Sequence, residues 1–339
     1  MTRRELFLGM PAAAIATRLR AQTSAPFPVK SISHVTLTVS DPQKSVEFYQ
    51  AIFGMPIQAR QGPVTVLRVG AGPQFLAVMP AGNARPRIDH FCVTTENFKL
   101  DRVLEQLAAN GISKSQPSAP MTYSVRMRGP NAGGAQDGTA ELYIADPDGL
   151  RIQLQDVSYC GGAGPLGNVC TAPEPAPKKG LIAVRDFSHL TLFVSDASRS
   201  REFYQKLFGM PIQAHQGPAT PLLAIGSHRE FLTIVGMGAG RNGAPPPPPS
   251  INHFCMTMEN FDPDRVIKTL ADFGIKPRET GTRGPAPPLV SYVSMRMENR
   301  GGAKEGTPEL YFTDPDGILV QLQDVTYCGG GGRLGELCS

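Results

Sequence analysis

Tryptophan is absent from the 339-residue chain, and no apolar run approaches the roughly 20 residues that a bilayer-spanning helix needs. A protein that crosses a membrane with helices is thereby excluded. A dominant charge is lacking too: 33 Lys and Arg face 29 Asp and Glu, for a formal net charge of +4. Charged residues make up only 18% and hydrophobic ones 41%, the balance of a folded chain rather than a disordered one. What is abundant is Gly (36) and Pro (32), which implies many turns and argues against a helical bundle. A length of 339 residues is enough for two ordinary domains.

Part of the positive charge sits at the N-terminus. Arg3 and Arg4 precede the apolar stretch from Leu6 to Ala16, and a polar patch with Arg18 and Arg20 ends at Ala21. This pattern is similar to a twin-arginine export signal and predicts an exported, periplasmic protein. Taking residues 1–21 away removes four arginines and one glutamate, so the +4 falls to +1. So neutral a body gives no electrostatic reason to expect nucleic acid or, after processing, a membrane surface as partner.

The rest is organised by an internal repeat. The stretch from Ser33 to Asp41 recurs from Ser188 to Asp196, and Glu47 to Ala59 recurs from Glu202 to Ala214. His90-Phe91-Cys92 returns as His253-Phe254-Cys255, and Gly138 to Tyr143 returns as Gly306 to Tyr311. Two Pro-rich insertions in the second copy, around Pro245–Pro249 and Gly284–Pro288, account for the growing offset. The expected layout is an export signal over 1–21, a flexible segment over 22–29, a first domain over 30–170, a Pro-rich linker over 171–184 and a second domain over 185–339.

Within each copy the periodicity alternates between 2 and 3.6. His34, Thr36 and Thr38 share one face of a strand, with Val35, Leu37 and Val39 on the other. Ser45 to Phe53 then reads as an amphipathic helix closed by Gly54. Strands are expected at Val64–Val69, Phe75–Met79, His90–Thr94, Ser124–Arg128, Glu141–Ala145 and Arg151–Asp156, with a helix over Leu100–Asn110. Asp146-Pro147-Asp148-Gly149 between the last two strands is a strong hairpin signal. The fold class is α+β: four βαβββ modules paired into two domains, each a curled mixed sheet around a cup.

The strand-opening His, the Phe-Tyr…Phe-Gly-Met helix and the Asp-Pro-Asp-Gly hairpin resemble the vicinal oxygen chelate superfamily. That group includes glyoxalases, bleomycin-resistance proteins and extradiol dioxygenases. The resemblance implies a divalent metal (Fe, Mn or Zn) in a cup, held by two histidines and a carboxylate on the final strand. The matching positions are His34, His90 and Gln153 in the first half, and His189, His253 and Gln321 in the second. The carboxylate is glutamine in both copies. A glutamine oxygen neutralises none of the ion's charge, so Glu141 and Glu309 on the neighbouring strand are candidate substitutes.

Tyr143 and Tyr311 are candidate catalytic residues that would donate to a substrate. Arg128 and Arg296 are candidates to clamp a substrate carboxylate. Cys160 and Cys170 flank a short Gly-rich loop, as do Cys328 and Cys338, and two local disulfides are expected in an oxidising compartment. Cys92 and Cys255 are expected to stay reduced. Three functions remain open: a metal-dependent dioxygenase-like or glyoxalase-like lyase or isomerase acting on a small oxygen-rich molecule, a metal-free small-molecule-binding protein of the bleomycin-resistance type, or a structural protein that has lost the chemistry. The sequence fixes no oligomeric state.

Overall fold

A computed structural model describes residues 25–338 apart from 116–118, 228, 239–244 and 283. The twin-arginine segment lies outside the described residues. The first half begins with β1 (Val29–Val39), α1 (Pro42–Phe53), β2 (Ile57–Gln61), β3 (Val64–Arg68) and β4 (Phe75–Pro80). It continues with β5 (Arg87–Thr95), α2 (Leu100–Ala109), β6 (Ser113–Lys114), β7 (Thr122–Arg128), β8 (Thr139–Ala145) and β9 (Arg151–Asp156). These nine strands form one sheet in the order β2-β3-β4-β1-β5-β9-β8-β7-β6. Strands β1 and β5, which open the two modules, pair antiparallel at the centre, and each has the last strand of its own module parallel on its other side.

The second half repeats this order with β10 (Val184–Val194), α3 (Ala197–Phe208), β11 (Ile212–His215), β12 (Pro221–Ala224) and β13 (Phe231–Gly236). Then follow β14 (Ser250–Met258), α4 (Pro263–Phe273), β15 (Lys276–Pro277), β16 (Val290–Arg296), β17 (Thr307–Thr313) and β18 (Leu319–Asp324). Strands β2 and β11 escape the sequence reading because Gln58 and Arg60, or Gln213 and His215, interrupt the apolar alternation. Strands β6 and β15 are two residues each, too short to carry a period.

The helices lock the halves together. Asp41 caps α1 by accepting from the Gln43 and Lys44 amides, and Gly54 ends it in the left-handed region at φ 67°. The buried face of α1 then packs on the opposite sheet: the Phe48 ring lies 5.9 Å from Phe273 and 6.4 Å from Phe312. Tyr49 donates to Asp314 at 3.1 Å, and in the reciprocal contact Tyr204 of α3 donates to Asp146 at 3.1 Å. One apolar core consequently runs through both halves. The hairpin aspartates of the repeat are what these tyrosines grip.

The connecting segments pack against the domains where they are described. The segment before residue 30 is packed where described: Phe27 is buried and its amide donates to Leu207 at 3.1 Å. The Pro-rich connection is laid against β2, where Glu174 exchanges backbone hydrogen bonds with Ile57 at 2.8 Å and pairs with Arg60 at 3.0 Å. Among the described residues no helix is long and apolar enough to cross a membrane.

Candidate metal centre

Alternation turns the apolar residues of the central strands toward the helices and leaves a polar concave wall. On it, in the first half, Gln153 brings its Oε1 within 3.1 Å of His34 Nε2 and 3.2 Å of His90 Nε2. The rings of His34 and His90 stand at 80° with centroids 5.7 Å apart. All three residues are at least 95% buried. The second half repeats the arrangement, with His189 Nε2 3.1 Å from Gln321 Oε1 and the rings of His189 and His253 at 82° and 5.5 Å.

Each ring is fixed by its other nitrogen. Thr36 faces His90 across β1 and β5 while Leu37 faces Ile88, so Asp89 is an extra residue in the ladder, a bulge. The bulge turns the Asp89 carboxylate to the cup side, 2.8 Å from His90 Nδ1. A carboxylate only accepts, so Nδ1 carries a proton, and a ring that gives its Nε2 to a metal would present that lone pair inward. In the second half Asn252 Oδ1 does the same for His253 at 2.8 Å. Ser33 and Ser188 meet the Nδ1 atoms of His34 and His189 at 3.2 and 3.1 Å. Strict alternation puts Asp89 on the far face, so sequence reasoning missed it; an acid directly before the ligand histidine was the available signal.

Burial, reinforced by the neighbouring imidazole, holds His34 and His189 well below the ordinary histidine range. Burial brings His253 to about 4. These three rings are therefore neutral at pH 7, the form that binds metal. Burial alone would raise Asp89, but the hydrogen bond to His90 and the charges of Arg151 and Arg87 hold it at about 2.

The donor set fits a divalent cation by one test. His90 Nε2 lies 3.2 Å from Gln153 Oε1 and 3.0 Å from the Thr36 hydroxyl, while the Gln153 amide nitrogen is buried without a partner. Adjacent ligands of an octahedral ion with bonds of ~2.1 Å lie ~3.0 Å apart, close to the separations here. The set contains no carboxylate, and among the described residues no group of three or more His, Cys, Asp or Glu converges.

The remaining candidates are placed differently. Glu141 does not join the histidines: its Oε1 takes Arg128 Nε at 2.6 Å and its Oε2 takes the Tyr143 hydroxyl at 3.2 Å. Glu309 is held likewise by Arg296 at 2.7 Å and Tyr311 at 3.3 Å. Among the described residues Arg128 and Arg296 are the largest fully buried side chains, so neither has a free face for a ligand carboxylate. Their guanidiniums also hold the carbonyls of Gly162 at 2.9 Å and Gly330 at 3.0 Å.

Those carbonyls belong to the Gly-rich loops, which plug one side of each cup. The disulfides Cys160–Cys170 and Cys328–Cys338 close them, while Cys92 and Cys255 are free and buried. Tyr159 and Tyr327 enter from these loops to within 5.8 and 5.7 Å of the His34 and His189 rings, which stack on Phe75 and Phe231 at 4.4 Å. Tyr143 stands edge-on to His90 at 5.2 Å and Tyr311 to His253 at 5.4 Å. Burial and the adjacent Glu141 or Glu309 charge push both phenols up, so they are donors, not bases. His215 is exposed, and His228 lies outside the described residues.

Comparison with known proteins decides the family. The profile described as Glyoxalase/Bleomycin resistance protein/Dioxygenase superfamily matches residues 31–154 and 186–322. The chain belongs to this superfamily. It is 24% identical over 190 residues to a lactoylglutathione lyase of Arabidopsis thaliana, covering 52% of this chain and 54% of that one, and so spans about half of that relative's length. A lactoylglutathione lyase of Escherichia coli O157:H7 is 27% identical over 142 residues, 40% of this chain and 97% of the other. The fold is shared with homoprotocatechuate 2,3-dioxygenase from Brevibacterium fuscum, solved with 3,4-dihydroxyphenylacetate (TM-score 0.59, 14% identity, 89% and 83% covered). It is also shared with a Mn(II)-bound glyoxalase from Novosphingobium aromaticivorans (TM-score 0.55, 16% identity, 87% and 82% covered).

Proposed function

We propose that this superfamily member is a divalent-metal enzyme with a cup in each half, acting on a small oxygen-rich molecule by dioxygenase-like or glyoxalase-like chemistry. The observation that carries the reading is the meeting of two imidazole nitrogens and one amide oxygen at 3.1–3.2 Å. His34, His90 and Gln153 would hold the ion in the first cup, and His189, His253 and Gln321 in the second. The chemistry supplied by a bound divalent ion is polarisation of adjacent substrate oxygens. Asp89 and Asn252 accept from Nδ1 and so aim the Nε2 of each ring into the cup. Tyr143 and Tyr311 stand beside the site with their hydroxyl protons given to Glu141 and Glu309, so a substrate would have to displace those bonds to receive them, and Tyr159 and Tyr327 keep water from one side of it.

One observation favours a metal-free binding cup instead. Turning the Gln153 amide half a turn would let its NH2 donate to both imidazoles, a satisfied network with no ion. Metal analysis of the native chain purified without chelators separates the two: one or two equivalents of Fe, Mn or Zn, falling with His34→Ala or His189→Ala, support the enzyme. Metal-free protein that takes up none of these ions overturns it. We infer export from the twin-arginine segment together with the two disulfides; a fusion that stays in the cytoplasm when Arg3 and Arg4 are intact refutes that.

A further inference from the structure

The two cups differ in charge at matched positions. Around the first stand Arg87, Asp89, Arg126, Arg128, Glu141 and Arg151. Register places Ser250, Asn252, Ser294, Arg296, Glu309 and Leu319 at the same points of the second. The buried pairs Arg128–Glu141 and Arg296–Glu309 are common to both and neutral. Beyond them these positions of the first cup carry three guanidiniums and one carboxylate, where the matched positions of the second carry no ionised group.

The surplus sits beside the candidate site. Arg87 and Arg151 share the single Asp89 carboxylate at 2.8 and 2.9 Å, so one charge of the two is left over. Arg126, half exposed, has a 3.6 Å contact with Glu141, a carboxylate that Arg128 already holds at 2.6 Å. Arg151 lies 5.5 Å over the ring of Tyr143, the ring that stands edge-on to His90. In the second half the corresponding rim borders a cavity of about 500 Å³ lined by Asn252, Tyr292 and Leu319, and closed by Asp316 and by Arg87 of the first half, whose charges are opposite. The second half's own cation nearby, Arg278, lies over Tyr292 and bonds Gly284, one stacked ring farther from His253.

We propose that the first cup selects a ligand bearing a carboxylate, clamped by Arg126 and Arg151, while the second takes an uncharged ligand. The proposal rests on the reading of the cups as ligand sites. Partly buried guanidiniums left with unneutralised charge in a cleft are suited to a planar oxyanion, because the fork geometry matches a carboxylate and the low-dielectric walls focus the field. Ser294 and Leu319 can supply neither.

The test is calorimetric titration of the full, Mn(II)-supplied chain with catechol and with 3,4-dihydroxybenzoate, two probes that differ by one carboxylate. The expected result is that dihydroxybenzoate binds at least tenfold more tightly, at one site per chain. Arg126→Ser with Arg151→Leu, residues that the second half already carries there, should erase the difference. Ser294→Arg with Leu319→Arg should add a second carboxylate-dependent site. Equal affinity of the two probes for the native chain overturns the inference and leaves the ligand-site reading standing. A difference that survives the double substitution also overturns it, and binding of neither probe overturns both.

Discussion

Gln74 and Glu230 occupy the same position in the two halves and meet between them, the Gln74 amide donating to the Glu230 carboxylate at 2.8 Å. Each precedes the phenylalanine on which a site histidine stacks. Each also reaches into the other half: Gln74 accepts from the Phe187 amide at 2.7 Å, and Glu230 accepts from the Ile32 amide. They border a cavity of about 750 Å³ whose walls include Ser33 and Ser188, the partners of His34 and His189. Two glutamates here would repel in a buried place; one glutamate and one glutamine form a strap between the halves.

This strap makes stability depend on pH. Burial raises Glu230 to about 8, against 4.5 for an exposed glutamate, although the Ile32 and Gln74 donors work the other way. A folded-state value above the unfolded one means that folded protein binds the extra proton, so the contribution is whole below pH 4.5 and lost as pH rises through 8. Glu230→Gln sets one amide against another and lowers the melting temperature at pH 6. It should nevertheless flatten the decline between pH 4.5 and about 8, which a series of thermal melts against pH measures. An unchanged slope would show that Glu230 does not titrate in that range.

Much of this architecture could be read from the chain, because βαβββ modules announce themselves by their periods and their hairpins. The polar face carrying His34, His90 and Gln153 followed from alternation alone. What alternation hides is the bulge at Asp89, since one extra residue moves a side chain to the opposite face without changing composition. The Cys pairs mark the Gly-rich loops as disulfide-closed, but nothing in a run of glycines tells that the loop turns back into the cup. Arg128 looked available to a ligand because an arginine on a polar face usually meets solvent; its capture by Glu141 and Gly162 depends on that unseen loop. Packing of α1 on the opposite sheet is equally invisible to local pattern.

Replacing Gln153 by glutamate tests the donor set directly. A carboxylate adds a negative charge to a donor set that has none, and removes the buried amide nitrogen that has no partner. Mn(II) or Zn(II) affinity of the first cup should rise at least tenfold, read by competition with a chromophoric chelator. With no metal the same variant should melt at a lower temperature, because a carboxylate is then buried without a counter-charge. An affinity that falls would place the ion elsewhere.

The Arg128–Glu141 pair should prove structural rather than ligand-binding. Both side chains are almost wholly buried, so removing one partner strands a charge, at a cost of roughly 3–5 kcal/mol. Arg128→Met alone should therefore lose far more stability than Arg128→Met with Glu141→Leu, as denaturant titration can show. If the single variant folds as stably as the native chain, the pair is not the anchor of the plug.

The disulfide loops make a prediction specific to each half. Closing a loop between residues ten apart is worth on the order of 3 kcal/mol in the chain-entropy account. Cys160→Ser with Cys170→Ser should also loosen Tyr159 from its place beside His34 and Phe75. The expected signature is faster carbethoxylation of His34 by diethylpyrocarbonate, located by peptide mass mapping, with the rate at His189 unchanged. The paired change at Cys328 and Cys338 should expose His189 and spare His34. Equal rates in all three proteins would mean that the loops do not shield the histidines, since a plug that never held Tyr159 over the ring has nothing to release.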